Sequence, residues 1–205
     1  MKRKNIKKKI WFIRHAESLA NANKNFKSDS FGGRSILLSK EGKKQAEELL
    51  KQFSGAPDLI ITSPYVRTKE TARPLLSKYT GIQHEEWPIH EFTYLSRQRC
   101  QNTTFSERDP WKKEYWERSD PLHSDGDGAE SFITFMDRVR DTMEKAKKRK
   151  ENFIVIFSHG YTMAAVKYIL EKNPKKITPE VMRDFKKYFK ENPVPNATKV
   201  ELVIK

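Results

Sequence analysis

The chain has 205 residues, a length that indicates a single domain. Lys and Arg number 41 and Asp and Glu number 27, which gives a net charge of +14, and 11% of the residues are aromatic. The aromatic content excludes a disordered chain, and the absence of any apolar run of about 20 residues excludes a membrane-spanning helix. The charge predicts attraction to anions, but neither nucleic acid nor a membrane is an expected partner, because no recognition motif accompanies the charge. The basic runs at 2–9 and 145–150 are interpreted as solvated surface.

Cysteine use and the N-terminal pattern both bear on the compartment. Cys100 is the single cysteine, so an internal disulfide is excluded and a reducing compartment is favoured. The first apolar stretch ends at Arg14 after four residues, whereas the apolar part of a secretory signal needs about 7–15. We therefore expect a cytoplasmic protein.

The first predicted elements are a strand and an amphipathic helix. The bulky apolar run Ile10–Ile13 is typical of a buried strand. Ser39 is a predicted N-cap, and the residues after it predict a helix with one buried face. The apolar residues of that face recur at helical spacing: Ala46, Leu49, Leu50 and Phe53.

A second strand and helix follow. Leu59–Ile61 predicts a buried strand. Ser63 and Pro64 then predict an N-cap followed by a proline in the first helical position. This helix should run towards Tyr79, and we expect Pro74 to kink or break it.

The second half begins with a polar stretch rich in aromatic residues, 92–128, and continues with regular elements. Phe153–Phe157 predicts a buried strand, and a helix should follow it through Leu170. A last helix over Pro179–Phe189 and a final strand over Lys199–Ile204 close the chain. The helix before the Phe153 strand carries another apolar stripe: Phe132, Phe135, Met136, Val139 and Met143.

Strands and helices therefore alternate, and the strands are apolar enough to be covered on both faces. This pattern predicts an α/β fold with a mostly parallel sheet and helices on each side. Ligands bind at the carboxyl ends of the strands in such sheets, so the segments 14–15, 63–67 and 158–160 should converge. Two arginines and two histidines lie in them: Arg14, His15, Arg67 and His159.

Such a group of side chains suits phosphoryl chemistry. Arginine presents a planar fork that matches a phosphate group, and imidazole can attack phosphorus. Helix N-termini predicted near Ser63 and Gly160 would add backbone N–H groups for a dianion. Phosphoryl transfer depends mainly on positioning and electrostatic stabilisation, which these residues could supply without a metal.

Three blocks of sequence resemble the signatures of the histidine phosphatase superfamily, the phosphoglycerate mutase-like proteins. They are Phe-Ile-Arg-His-Ala-Glu-Ser at 12–18 with Asn21 after it, the block from Thr62 to Ala72, and Ser-His-Gly at 158–160. The blocks occur in the family's order across almost the whole chain; Ala16 replaces the usual glycine. The resemblance implies a three-layer α/β/α sandwich, and we expect one domain over 1–205 with 92–128 as a substrate-covering insertion.

The resemblance also implies roles for individual residues. His15 would attack the phosphoryl group and carry a phosphohistidine intermediate. Arg14, Arg67 and His159 would hold the phosphate oxygens, with Asn21 nearby. Asn21 could alternatively cap a turn.

The family further uses a carboxylic acid to protonate the leaving oxygen, shortly after the third strand. Glu91 matches that position, and the alternative is an ordinary surface carboxylate. A glutamic acid in this role must keep its proton near neutral pH, so burial or the substrate's charge should raise its pKa. Glu17 and Glu86 are weaker candidates.

The function expected from these residues is metal-independent hydrolysis of a phosphomonoester, with no cofactor. A phosphorylated small molecule is the expected substrate, and a phosphoprotein is the alternative. A phosphoglycerate-type mutase is disfavoured because the cofactor-dependent mutases continue with a Leu-Asn-Glu-Arg-type segment, whereas Phe-Thr-Tyr-Leu-Ser-Arg follows Glu91 here. A module that binds phosphorylated ligands without turnover stays open.

Segment 92–128 combines basic and aromatic side chains. One hypothesis is that it caps the pocket and adds positive charge for a second anionic group of the substrate. The alternative is a helical flap that packs its aromatic residues and exposes its bases to solvent. The basic residues concerned are Arg97, Arg99, Arg108, Lys112, Lys113 and Arg118.

Overall fold

The computed structural model describes residues 8–23, 25–27 and 33–204, so most of the first basic run lies outside the described residues. The strands in the described residues are β1 (Lys8–Arg14), β2 (Leu59–Thr62), β3 (Gln83–Glu86), β4 (Phe153–Ser158) and β5 (Lys199–Ile204). They form one five-stranded sheet in the order β3-β2-β4-β1-β5. The strands β1 to β4 are parallel, and β5 runs antiparallel to β1, which confirms the predicted mostly parallel sheet.

Helices cover both faces of this sheet. Because strand side chains alternate in direction, Ile10 and Phe12 of β1 pack towards one helical layer and Trp11 and Ile13 towards the other. The described residues form eight helices: α1 (Leu19–Ala22), α2 (Lys40–Leu50), α3 (Val66–Lys78), α4 (Arg97–Cys100), α5 (Asp109–Arg118), α6 (Phe132–Lys148), α7 (Gly160–Lys172) and α8 (Pro179–Glu191). The first layer contains α6, α7 and α8, and the second contains α2 and α3.

Two helix boundaries test the sequence interpretation. Ser39 caps α2 as predicted, since its hydroxyl accepts from the Gly42 amide. The Ser63 prediction is wrong, because α3 begins at Val66 after a Tyr65 N-cap. The Ser63 hydroxyl instead forms a hydrogen bond with Nε2 of His159.

Pro74 does not end the helix that contains it. The α3 helix continues through Pro74 to Lys78. The neighbouring Ala72 and Leu75 are buried against the sheet, and this packing offsets the hydrogen bond that a proline cannot donate.

The strand register brings the carboxyl ends of three strands to one level. Arg14 of β1 lies opposite Ser158 of β4, and Thr62 of β2 lies opposite Phe157. The residues that follow these strands therefore leave the sheet side by side. No helix in the described part of the chain is long and apolar enough to cross a membrane.

Candidate active site

His15 is held in one tautomer at the end of β1. Its Nδ1 lies 2.7 Å from the Ala16 carbonyl oxygen, which can only accept, so Nδ1 carries the hydrogen. Its Nε2 accepts from Nε of Arg67 at 3.1 Å and therefore carries an electron pair and no hydrogen; this pair becomes available for attack when Arg67 turns to a phosphoryl oxygen. Burial, and next the charge of Arg67, lowers the pKa of His15 well below 6.5. His15 is thus neutral at physiological pH, with Nε2 as its nucleophilic atom.

Arg67 connects the two histidines. It follows β2 at the start of α3 and donates through Nη2 to Nδ1 of His159 at 3.0 Å. Its Nη1 donates to the Gly33 carbonyl at 2.7 Å. Burial lowers the pKa of Arg67 to about 10, against the favourable charge of Glu91, so the guanidinium stays charged at neutral pH.

His159 is the N-cap residue of α7 and is completely buried. Its Nε2 lies 2.8 Å from the Ser63 hydroxyl oxygen. Burial, with Arg67 next in importance, lowers the pKa of His159 well below 6.5. Both histidines are therefore neutral, and the positive charge of the site resides on its arginines.

Arg14 offers a donor without a partner. Its Nη1 donates to the Val194 carbonyl at 2.5 Å, but its buried Nε has no hydrogen-bond partner among the described residues. A Cβ added to Gly160 would lie 3.5 Å from this Nε and 3.5 Å from Oε2 of Glu91. The missing side chain at 160 thus leaves the Arg14 donor and the Glu91 oxygen facing a common space, which suits an anion.

Glu91 is fixed through one of its two oxygens. Oε1 accepts from the backbone amides of Phe92 at 3.0 Å and Tyr161 at 2.9 Å, which leaves Oε2 as the oxygen that can carry a proton. Burial raises the pKa of Glu91 above its usual value, although the Phe92 amide, Arg67 and Arg14 oppose this effect. A carboxyl that lines a cavity and has a raised pKa is suited to donate a proton.

Asn21 has the turn-capping arrangement that was the alternative for it. Its Oδ1 accepts from the amide of Ser18 at 3.2 Å and from the hydroxyl at 3.0 Å, within the capping box of α1. The residue is exposed and lines the same cavity as His15. Its role as a phosphate ligand stays a prediction.

These side chains surround a cavity of about 470 Å³, lined by Arg14, His15, Asn21, Arg67 and Glu91. His159 lies behind Arg67. The weaker acid candidates are elsewhere in the described structure: Glu17 accepts from Ser39 at 2.6 Å, and Glu86 pairs with Lys69. No group of three or more His, Cys, Asp and Glu side chains in the described ranges forms a metal-site arrangement.

Comparison with known proteins identifies the family. The family model of the histidine phosphatase superfamily (branch 1) matches residues 10–182. The chain belongs to this superfamily. No curated protein matches the sequence.

Solved structures of similar fold include phosphatases. The alpha-ribazole phosphatase from Shigella flexneri aligns with a TM-score of 0.71 and 19% identity, over 96% of this chain and 91% of that one. The phosphoserine phosphatase from Entamoeba histolytica in complex with phosphoserine aligns with a TM-score of 0.69 and 21% identity, over 96% of this chain and 91% of that one. A mycobacterial glucosyl-3-phosphoglycerate phosphatase aligns with a TM-score of 0.68 and 20% identity, over 96% of this chain and 90% of that one. At these identities the likeness shows the fold, which is that of the histidine phosphatases.

Sequence reasoning missed several residues that support the site of this histidine phosphatase superfamily member. Thr71 accepts from the Ala16 amide at 3.0 Å and donates to the Arg67 carbonyl at 2.6 Å. Asn196 donates to the His15 carbonyl at 2.8 Å. Thr71 lies in the second signature block, which gave a signal for it, whereas nothing in the sequence around Asn196 pointed to the site.

Segment 92–128 has features of both hypotheses made for it, a cap that adds positive charge to the pocket and a flap that packs its aromatic residues. Arg108 and Lys112 line the cavity. Arg99 instead pairs with Glu114 at 3.1 Å and Asp125 at 3.4 Å. The aromatic residues Tyr115 and Trp116 are buried in the core, as expected for a packed flap.

Proposed function

We propose that the protein is a metal-independent phosphomonoester hydrolase that acts through a phosphohistidine on His15, with Glu91 as the proton donor. The observation that carries this proposal is the tautomer of His15: its Nδ1–H is fixed on the Ala16 carbonyl, and its Nε2 electron pair lies beside the Arg67 guanidinium. Membership of the histidine phosphatase superfamily and the phosphatases among its structural neighbours support the same reaction class.

In the first step, Nε2 of His15 attacks phosphorus and the bond from phosphorus to the ester oxygen breaks. The electron pair goes to the leaving oxygen, which takes the proton of Glu91 and departs as an alcohol. Arg14 and Arg67 stabilise the charge on the phosphoryl oxygens. The fixed tautomer matters here because an imidazole with its hydrogen on Nε2 could not attack through Nε2.

In the second step, the Glu91 carboxylate removes a proton from water while the water oxygen attacks phosphorus. The bond between Nε2 and phosphorus breaks, its electron pair returns to His15, and inorganic phosphate leaves. Glu91 regains its proton, so the cycle closes with both groups in their starting states. Partial burial of Glu91 supports this double role, because it raises the pKa and so brings the free energies of the charged and neutral forms closer together.

The test is release of phosphate from p-nitrophenyl phosphate in EDTA. We expect turnover by the wild type and a loss of about a thousandfold or more in His15→Ala. His84→Ala is the matched control, because His84 is exposed on β3 and bonds Thr62 outside the cavity. An acid-labile phosphoenzyme formed by the wild type and absent in His15→Ala would identify the intermediate. Activity retained in His15→Ala, or lost on adding EDTA, contradicts the proposal.

The same assay separates the two alternatives. A mutase would transfer the phosphoryl group to an added hydroxy acid in preference to water. A module that binds phosphorylated ligands without turnover would bind phosphate but release none from any ester.

A further inference from the structure

We infer that the preferred substrates are phosphomonoesters of bulky, apolar alcohols; this inference rests on the proposed function. A phosphoryl group fills only part of the cavity, whose volume of about 470 Å³ lies within the range of roughly 300–1,000 Å³ of sites that hold whole small molecules. The remaining space must therefore receive the alcohol part.

The position of Glu91 shows where the alcohol part lies. The acid must contact the ester oxygen, so the carbon atoms attached to that oxygen extend away from His15 on the Glu91 side. The two amides that hold Glu91 belong to Phe92 and Tyr161, and both residues line the cavity. The Tyr161 ring stacks on Phe189 with 4.0 Å between centroids and 11° between planes. The surface beside the leaving group is therefore aromatic and held rigidly.

Apolar side chains from three separate parts of the chain continue this surface. The loops before α2, segment 92–128 and the end of α8 each contribute to the cavity. Their side chains include Phe26, Ile36, Leu95, Phe105, Phe189 and Val194. A sugar or an amino acid would leave its hydroxyl or ammonium groups without partners against such a surface, whereas an aryl or alkyl group would gain by burial.

Phe105 is the clearest specificity-determining candidate. It is 40% exposed and lines the cavity, so part of its ring would be buried by a ligand. Lys112 donates to the Phe105 carbonyl at 2.8 Å, and its ammonium lies 5.0 Å from the ring centroid. Arg108 donates to the Cys100 and Thr103 carbonyls at 2.8 and 2.7 Å in the same loop. The ring is thus held in place at the cavity while one side stays open to a ligand.

The same contacts argue against a second phosphate or carboxylate as the main determinant. Lys112 also pairs with Asp109 at 2.8 Å, and Arg108 bonds Thr103 Oγ1 at 2.8 Å as well. These two cations therefore already have acceptors within the protein. Lys190, the other lysine of the lining, is exposed to solvent at the end of α8. Removing Lys112 and Arg108 from their present partners would offset the gain from a second anion, and an exposed lysine such as Lys190 gains little from a charge partner that salt can screen.

The experiment compares kcat/KM for 2-naphthyl phosphate and phenyl phosphate, whose leaving groups have similar acidity. We expect a preference of about tenfold for the naphthyl ester in the wild type, because the second ring is buried. Phe105→Ala and Phe189→Ala should each reduce this ratio by about threefold or more. Leu122→Ala is the matched control: Leu122 is 73% exposed, lies outside the cavity lining and should leave the ratio unchanged.

A binding measurement separates failure of this inference from failure of the proposed function. The ligands are benzylphosphonate and 2-naphthylmethylphosphonate, which cannot be hydrolysed, titrated into the wild type. If no ester is turned over, a tenfold tighter Kd for the naphthyl compound still supports the apolar site, and equal Kd values overturn it. If esters are turned over with a naphthyl to phenyl ratio near one, the apolar preference is overturned and the phosphatase activity stands. Thermal unfolding of each variant checks that it folds. If Phe189→Ala does not fold, Phe105→Ala still provides the test, because Phe105 is at a partly exposed position.

Discussion

The Ser63 hydroxyl oxygen lies 2.8 Å from Nε2 of His159, although 96 residues separate them in the sequence. Arg67 donates to Nδ1 of the same ring, so Nε2 carries the hydrogen and donates to Ser63. A hydroxyl can donate as well as accept. We therefore expect that, when a phosphoryl group draws Arg67 away, Ser63 donates to Nε2 and the Nδ1–H of His159 turns to a phosphate oxygen.

Replacing Ser63 tests this relationship. Ser63→Ala removes the group that orients His159, and we expect kcat/KM to fall roughly three- to tenfold, the effect of one hydrogen bond. Ser124→Ala is the control, because Ser124 is exposed, donates to the Ala129 carbonyl at 3.1 Å and lies outside the cavity lining. An unchanged kcat/KM in a folded Ser63→Ala variant would show that His159 needs no such partner.

The role of Glu91 predicts a dependence on the leaving group. Glu91→Gln keeps the shape of the side chain but cannot supply a proton. We expect a loss of about 10²- to 10⁴-fold for an alkyl phosphate and a much smaller loss for p-nitrophenyl phosphate, whose leaving group departs without a proton. Glu86→Gln is the matched control, since Glu86 is exposed and pairs with Lys69. Equal losses on the two substrates would remove Glu91 as the proton donor.

His15 and Glu91 determine the expected pH profile of kcat/KM. The pKa of His15 lies well below 6.5, and activity requires its neutral form, so its titration limits kcat/KM only on the acid side. The pKa of Glu91 is raised, and the first step requires the protonated form, so kcat/KM should fall as the pH rises through that pKa.

Glu91→Gln provides the comparison for this profile. We expect the variant to lose the fall on the alkaline side and to keep the fall on the acid side. One substrate is used for both proteins, so its own ionisation affects both profiles equally. An alkaline limb that persists unchanged in the variant would have to come from another group.

Much of the site could be predicted because it depends on short-range sequence. Arg14, His15, Arg67 and His159 follow apolar strands, and parallel strands bring such residues together. The N-terminus of α3 could not be placed, because Ser63 had two possible partners: the first amides of a helix or a histidine from a distant strand. The tertiary contact prevailed.

Other parts depend on contacts that local patterns do not encode. The polar strand Gln83–Glu86 has exposed residues at the sheet edge, and a hydrophobic pattern gives no sign of it. Val194 supports Arg14 through its carbonyl group, which every residue possesses, so its identity carries no signal. The apolar part of the cavity lining likewise comes from three separate parts of the chain, whose proximity follows from the fold.

A close backbone contact near the site predicts a sensitive glycine. A Cβ on Gly42 would lie 1.9 Å from the Glu17 carbonyl oxygen, so α2 could not keep its position beside the segment that follows β1. We expect Gly42→Ala to reduce the free energy of unfolding by about 1–3 kcal/mol, as overpacking does. In Gly55→Ala the new methyl group meets nothing within 4 Å among the described residues, and the change should stay within about 0.5 kcal/mol. Urea denaturation of both variants measures the difference, and equal stabilities would contradict the prediction.

The hydrogen bonds that join Val194 to Arg14 and Asn196 to His15 also concern the stage of synthesis at which the site can form. Arg14 and Val194 are 180 residues apart, and His15 and Asn196 are 181 apart. A nascent chain that still lacks residues 194–204 has its signature residues, but Arg14 lacks the Val194 carbonyl, the His15 carbonyl lacks its Asn196 donor, and β1 lacks its neighbour β5. Contacts of such long range form late in folding. Residues up to Asn196 must therefore have left the ribosome before Arg14 and His15 can be held as they are in the folded protein.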